Sequence, residues 1–386
     1  MARLPMEIPV DLLDLTPEVP SSLFDDAFRG ACERLDRYVG ALAVELCRRL
    51  DLPATEELDL GELFASRGWS PTGTLAIRWL RETLSLYGLG PGAERPQRQP
   101  DWVDRVPAAE LRAEAERVLP SCWPAYAVLE QSADALPAIL RGELRGEEAL
   151  FGPANLGLWF DYFSNGNPHY APNNAITSLV AAEMAPLRAT VLELGGGAGS
   201  AAEAFLGALA EAGKPPARYL FTEPQPAFLR RATRALRQFV PPGCEVETGR
   251  YDINLGPTEQ GLEESGFDLI LAVNVMHLAH DVVLALRRVR RLLRPGGALV
   301  LGELIRPTPT APVHLELPFT LIEGYRQTPP DAVVRRREGF VSADGWIAAF
   351  EAAGLEDVRL MPAQIRRCAE IYPGFYCGAV SARAPA

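Results

Sequence analysis

Residues 190–200 read TVLELGGGAGS. The first five form a short apolar strand, the glycines turn the chain, and SAAEAFLGALAEA (200–212) opens a helix. A turn of this kind lets backbone approach a ligand closely and aims helix N–H groups at it, beyond the C-terminal edge of a parallel sheet. Alone it fits a dinucleotide, S-adenosylmethionine or simple tight packing, so the neighbouring segments decide.

From about residue 176 strand-like runs alternate with helical ones, which predicts an α/β fold on a parallel sheet. ARYLFTEP (217–224) ends in Glu223, whose carboxylate can accept from both hydroxyls of a ribose. CEVETGRYDI (244–253) carries Asp252 near its end, placed to accept from an adenine amine. FDLILAVNVMH (267–277) reads as a fourth strand ending at His277. DVVLALRRVRRLLRPGG (281–297) reads as a helix and turn leading to the fifth strand, ALVLGEL (298–304), which ends near Glu303. Neighbouring strands lie about 4.8 Å apart, so His277 and Glu303 are expected to meet. Glu303 would hold one imidazole nitrogen and leave the other as a base. DGWIAAFEAAGLEDVRLMP (344–362) predicts a helix and a sixth strand, and GFYCGAVSARA (374–384) the last.

This ordered set resembles the class I S-adenosylmethionine-dependent methyltransferases: VLELGGGAGS, FTEP and LLRPGGALVLGE match their motifs in order. More narrowly, FTEPQPAFLRRA, YDINLGPTEQG, FDLILAVNVMH and LLRPGG resemble the C-methyltransferase domains of polyketide synthases. The resemblance covers roughly residues 185–305. It implies a Rossmann-like, seven-stranded sheet with the final pair antiparallel and an N-terminal helical lid domain. It also implies a His–Glu pair as the catalytic group, with His277 as general base and Glu303 as its orienter. S-adenosylmethionine is expected on Gly195, Gly197 and Gly199 of the turn, with Glu193 before it. Glu223, Asp252, Ile253 and Asn274 are the further cofactor contacts expected.

The second histidine, His280, is not part of the ordinary pattern. Two histidines three apart, with Glu303 or His314, have the donor chemistry for a metal ion. Some related domains acting on malonyl-type thioesters hold one, so a metal at His277 and His280 is one alternative. A polar residue opening the next helix is the other.

Ahead of the sheet, Phe24, Ala27, Phe28, Ala31, Leu35, Val39, Leu42 and Leu46 recur at helical spacing. LDLGELFASRGWSPTGTLAIRWLRETLSLYGLG (58–90) has a helix-turn-helix outline. Residues 106–148 are again helical. Residues 1–150 are therefore expected to be a helical lid or dimerisation region, with 91–105 as a hinge. Residues 151–175 read as a connecting aromatic–asparagine loop, and 176–386 as the cofactor-binding core. In that loop Tyr170 and Asn173 are chosen as cofactor contacts, and Trp159 and Phe163 as substrate contacts. HLELPFTLIEGYR (314–326) is expected to line the substrate pocket through Glu323 and Tyr325.

The chain of 386 residues carries 50 acidic and 38 basic side chains, a net charge of −12. That balance argues against binding nucleic acid or an anionic membrane, and weakens a DNA-binding reading of residues 58–90. The run RRVRRLLR reads as a solvated helix face, with an acidic partner as the other option. Six scattered cysteines without paired spacing predict reduced thiols in the cytoplasm. MARLPMEIPVDLLDL lacks the apolar core of a signal peptide, and no run of about 18 apolar residues predicts a membrane span.

The leading expectation is a methyltransferase of natural-product biosynthesis that C-methylates the α-carbon of an acyl thioester on a separate carrier protein, or a related small molecule. A small-molecule O-methyltransferase that dimerises through its N-terminal helices is the second reading. A non-catalytic binding protein that kept the fold is the third.

Overall fold

The computed structural model describes residues 12–53, 56–90, 105–372 and 374–386. The hinge expected at 91–105 falls, apart from Arg105, outside the described residues, as does the chain before Leu12. The sheet has seven strands in the order β3-β2-β1-β4-β5-β7-β6. They are β1 (Thr190–Leu194), β2 (Arg218–Thr222), β3 (Glu245–Gly249), β4 (Phe267–Val273), β5 (Leu293–Leu304), β6 (Glu356–Met361) and β7 (Cys377–Arg383). The first five run parallel, and β7 lies antiparallel between β5 and β6. β1 and β4 are buried almost throughout, as strands covered on both faces by crossover helices must be, whereas edge strand β3 is half exposed. The order reverses between β1 and β4, which opens a crevice at their C-terminal ends.

Two details set the crevice floor. β4 stops at Val273, four residues short of the expected end. Asn274 takes a left-handed conformation (φ 55°), which a short amide side chain tolerates, and a single 3-10 turn follows over Met276–Leu278. On the next strand, Gly302 lies directly under the helix Ala171–Met184. A Cβ there would stand 1.9 Å from Thr177 Oγ1. The helix can sit flat on the sheet beside Glu303 because residue 302 has no side chain.

The helical region forms where the spacing placed it. Asp25 caps the helix Asp26–Arg49 by accepting from Phe28 N at 2.9 Å. Asp59 caps Leu60–Arg67, which ends at left-handed Gly68 before the helix Thr74–Leu86 begins. The helices Ala108–Val118 and Trp123–Leu140 follow. The expected boundary at residue 150 is crossed by packing in both directions. Leu12, Leu15, Val19 and Phe24 join the core of the sheet. Leu315, Leu317 and Leu321 join the core of the helical region. The expected loop at 151–175 is partly helical, over Leu156–Tyr162 and from Ala171 onward. In the first of these helices and its C-cap, Trp159, Tyr162 and Phe163 stand at i, i+3 and i+4, and the Trp159 ring lies 5.4 Å from Tyr162 and 5.3 Å from Phe163. All six cysteines are free thiols. Among the described residues no helix is long and apolar enough to cross a membrane.

Candidate active site

A cavity of about 840 Å³ opens over the C-terminal ends of β1, β2, β4 and β5. That is large for a small-molecule cleft, for which roughly 300–1,000 Å³ is usual. Its first wall is the glycine turn. Gly197 faces the cavity at φ 56°, and a Cβ on it would meet no protein atom within 4 Å, so the turn presents bare backbone to open space. Gly195 shares this wall, while Gly199 stands behind it as the residue before helix Ser200–Glu211.

Glu223 is buried just past β2. One carboxylate oxygen accepts from Gly197 N at 3.0 Å and the other from Gln225 N at 2.8 Å. Burial raises its pKa, and these two backbone bonds oppose the shift. Each oxygen keeps a second lone pair for a ligand hydroxyl. Asp252 is exposed at the rim, with its backbone tied to the Gln260 side chain at 2.7 Å, and Ile253 beside it is buried in the wall. Glu193, at the end of β1, accepts from Tyr219 OH at 2.6 Å through one oxygen. Its other oxygen has no hydrogen-bond partner and the residue lines the cavity. Burial, with the Glu223 charge adding to it, pushes the Glu193 carboxyl up to about 7 against the Tyr219 bond. A buried carboxyl with a vacant oxygen suits a ligand bearing positive charge. These features together fit S-adenosylmethionine: acceptors for hydroxyls, bare backbone N–H groups and an acid for its cationic end.

The cavity floor holds His277, with Glu303 fully buried behind it. Parallel pairing sets Val273 opposite Gly302, and the turn after Asn274 then carries His277 back under the end of β5. His277 Nδ1 lies 2.7 Å from Glu303 Oε2, with both side chains buried. Glu303 Oε1 accepts from Met276 N at 2.9 Å and His277 N at 3.3 Å, so one carboxylate fixes both the ring and the backbone carrying it. A carboxylate offers acceptors only, which assigns the proton to Nδ1 and the free lone pair to Nε2. Phe340 packs against the ring with centroids 4.5 Å apart. Asn274 lines the cavity, and its Oδ1 accepts from Leu304 N at 2.9 Å.

Four expected contacts lie elsewhere. Trp159 is fully buried in the helical core, since a side chain that large among apolar helices finds more burial there than at a cavity. Asn173 is buried behind the wall, where it spans Asn274 Oδ1 at 3.4 Å and Gly378 N at 3.0 Å. Tyr325 is buried with its hydroxyl on Glu316 Oε1 at 2.7 Å, and Glu323 is exposed and bonded to Gln327. Phe163 and Tyr170 do line the cavity. Burial raises the Tyr170 hydroxyl, opposed by the neighbouring Asn274 side chain.

His280 is exposed at the rim, its backbone N on Asn254 Oδ1 at 2.9 Å, and Asp281 caps the next helix. His314 lies apart from the cavity, its Nε2 2.9 Å from Asp36 Oδ1. Among the described residues no three His, Cys, Asp or Glu side chains are grouped to hold a metal ion.

The segment HLELPFTLIEGYR does line the cavity, but through Phe319 and Ile322 instead of Glu323 and Tyr325, and with Phe151, Leu156 and Phe340 it makes the far wall apolar. The sequence reading missed Arg335, buried, which donates to His277 O at 3.1 Å and Ala279 O at 2.6 Å and so braces the turn bearing the histidine. Behind that wall runs a buried ionic network. Arg306 pairs with Glu316 at 2.6 Å and donates to Phe340 O at 3.0 Å, and Arg337 joins Glu316 at 3.7 Å and pairs with Glu82 of the helical region.

A methyltransferase-domain family matches residues 192–299. Polyketide synthase ThaQ of Burkholderia thailandensis is 29% identical over 308 residues, which is 74% of this chain and 14% of that synthase. The chain spans 14% or less of the length of the curated synthases it matches. The CurJ carbon methyltransferase superposes with a TM-score of 0.74 at 20% identity, over 98% of this chain and 100% of that one. The trans-methyltransferase CalH, solved with S-adenosylhomocysteine, superposes with a TM-score of 0.64 at 21% identity over 92% and 91% of the two chains. Residues 192–299 are thus a methyltransferase domain, and the chain has the fold of the carbon methyltransferases on which it superposes.

Proposed function

We propose that the enzyme C-methylates the α-carbon of a β-ketoacyl thioester presented on a carrier protein. The observation that carries this reading is the buried His277–Glu303 pair at the floor of a cavity whose other walls suit a nucleoside cofactor and an acyl chain.

Bound S-adenosylmethionine supplies a methyl group on a sulfonium, and that sulfur needs no acid to leave. What the chain must supply is a nucleophile in line with that methyl, about 3–3.5 Å away. A carbon between a ketone and a thioester is acidic enough for an imidazole. His277 Nε2 would take its proton, the C–H electron pair would become an enolate, and the enolate carbon would bond to the methyl as the methyl–sulfur bond breaks and its electron pair stays on the departing thioether sulfur. The positive charge left on the imidazole faces the Glu303 carboxylate through Nδ1–H, which stabilises it and holds the ring in place. The apolar far wall excludes water and leaves room for the acyl chain. The connecting segment contributes Phe151 and Leu156 to that wall, and Glu147 of the helical region lines the same cavity.

The test uses a β-ketoacyl thioester and isotopically labelled cofactor, with the product analysed by NMR. The expected result is a methyl on the carbon between the two carbonyls. A methyl on oxygen would return the enzyme to the O-methyltransferase reading, and no transfer to any thioester would overturn the proposal.

A further inference from the structure

Residues 224–244 contain Arg230, Arg231, Arg234 and Arg237 and no acidic residue, in a chain of net charge −12. All four arginines are exposed on the helix Pro226–Phe239, and 230, 234 and 237 follow one face. The helix starts at the cavity: Gln225, exposed, Ala227 and Phe228 belong to its wall. Arg231 lies over the Phe160 ring at 4.4 Å, and Phe160 packs on Phe228 at 5.2 Å, so the basic face begins on the cavity's own rim. At 1.5 Å per residue it extends about 15 Å away from Ala227.

The more basic run at 287–294 is in a different state. Arg287, Arg288 and Arg290 donate to backbone carbonyls, and Arg291 and Arg294 pair with Glu264 and Asp268. Arg230, Arg234 and Arg237 have no such partner among the described residues. Like charges four residues apart weaken a helix, a cost that a solvated face does not offset and a binding face does. We propose that this arginine face docks an acidic surface of the carrier protein, holding it beside the opening through which its thioester-bearing arm enters. The inference rests on the carrier-borne substrate proposed above. A nucleic acid is a poorer occupant, because the strongly acidic remainder of the chain repels a long polyanion.

The triple variant R230E/R234E/R237E leaves every residue of the cavity wall in place. Its methylation of a β-ketoacyl group is compared on two supports, an acidic polyketide synthase carrier protein and the small N-acetylcysteamine thioester. The expected result is a wild-type rate on the carrier that falls with salt, a fall of about tenfold or more in kcat/KM on the carrier together with loss of that salt sensitivity in the variant, and an unchanged rate on the small thioester. Equal loss on both supports, or loss on neither, overturns the proposal. Binding of the same holo-carrier, measured directly by interferometry, gives a readout independent of turnover. If the wild type methylates neither substrate, the C-methylation reading fails, while salt-sensitive carrier binding that the triple variant abolishes still upholds the docking face. Binding to phosphatidylserine vesicles but not to the carrier overturns it in favour of a membrane.

Discussion

On one side of the cavity Glu193, Gly197, Glu223 and Asp252 stand at or just past the ends of three successive strands, inside residues 193–252. On the other, Phe151, Leu156, Phe319, Ile322 and Phe340 come from segments that begin before the sheet and end after β5. The first wall offers backbone and carboxylates whose places follow from strand ends. The second is ordinary apolar side chains that become a wall only through long-range packing. His277 and Glu303 belong to the first kind, and the residues that brace them, Phe340 and Arg335, to the second.

The largest effect expected from this division is at its centre. His277→Ala should lower kcat by about a hundredfold to ten-thousandfold, the usual range for losing a general base. The affinity for S-adenosylmethionine, read by calorimetry, should change little, because no cofactor wall loses a group. A variant that keeps its turnover would remove His277 as the base, and one that loses the cofactor along with turnover would show that the two walls are not separable.

On the far side the expected loss is of stability. Arg306→Met leaves Glu316, fully buried and held at about 2 against its burial by the Arg306 and Arg337 charges, with its nearest cation removed. Breaking a buried pair in this way costs about 3–5 kcal/mol. Urea denaturation should show that loss. Because the same guanidinium holds the Phe340 carbonyl, remaining activity should fall through the substrate KM before it falls through the cofactor. A loss of cofactor affinity of equal size would contradict the separation.

Glu223→Gln should cost about 1.5–3 kcal/mol in cofactor binding, since a charged acceptor for two backbone N–H groups and the ligand is lost. That is roughly a tenfold to hundredfold rise in the dissociation constant, with stability changed less than in Arg306→Met. Little change would move the ribose away from the end of β2.

These variants follow what was legible beforehand. The succession of the five parallel strands along the chain, the glycine turn, Glu223, and the approach of His277 to Glu303 could be read because a strand end fixes where a side chain lies. Trp159, Asn173, Glu323 and Tyr325 were placed in the cavity on residue type alone, and type does not say which face of a helix looks inward. Trp159 went into the helical core and Tyr325 into the ionic network. The partners of that network, Glu82, Arg306, Glu316 and Arg337, carry no local motif. Residues 313–322 gave no sign that they would pack with the helical region, because Leu315, Leu317 and Leu321 fit either core equally well by composition.

The smallest effect concerns Glu193, where the cofactor wall meets titration. Its folded pKa is raised from 4.5 to about 7. The neutral carboxyl therefore contributes stability that is full below about 4.5 and is lost as pH rises through about 7. A cationic ligand prefers the carboxylate and so gains over the same window. Between pH 6 and pH 8 the ionised fraction rises from about a tenth to about nine tenths, which bounds the gain in cofactor affinity at roughly tenfold. Calorimetry across that range should show binding tightening with pH and releasing a proton, while the melting temperature of the free enzyme falls. Glu193→Gln should flatten both trends. A wild-type affinity that is level from pH 6 to pH 8 would mean that the vacant oxygen of Glu193 faces no charge on the ligand, and the cationic end of the cofactor would have to lie against another part of the wall.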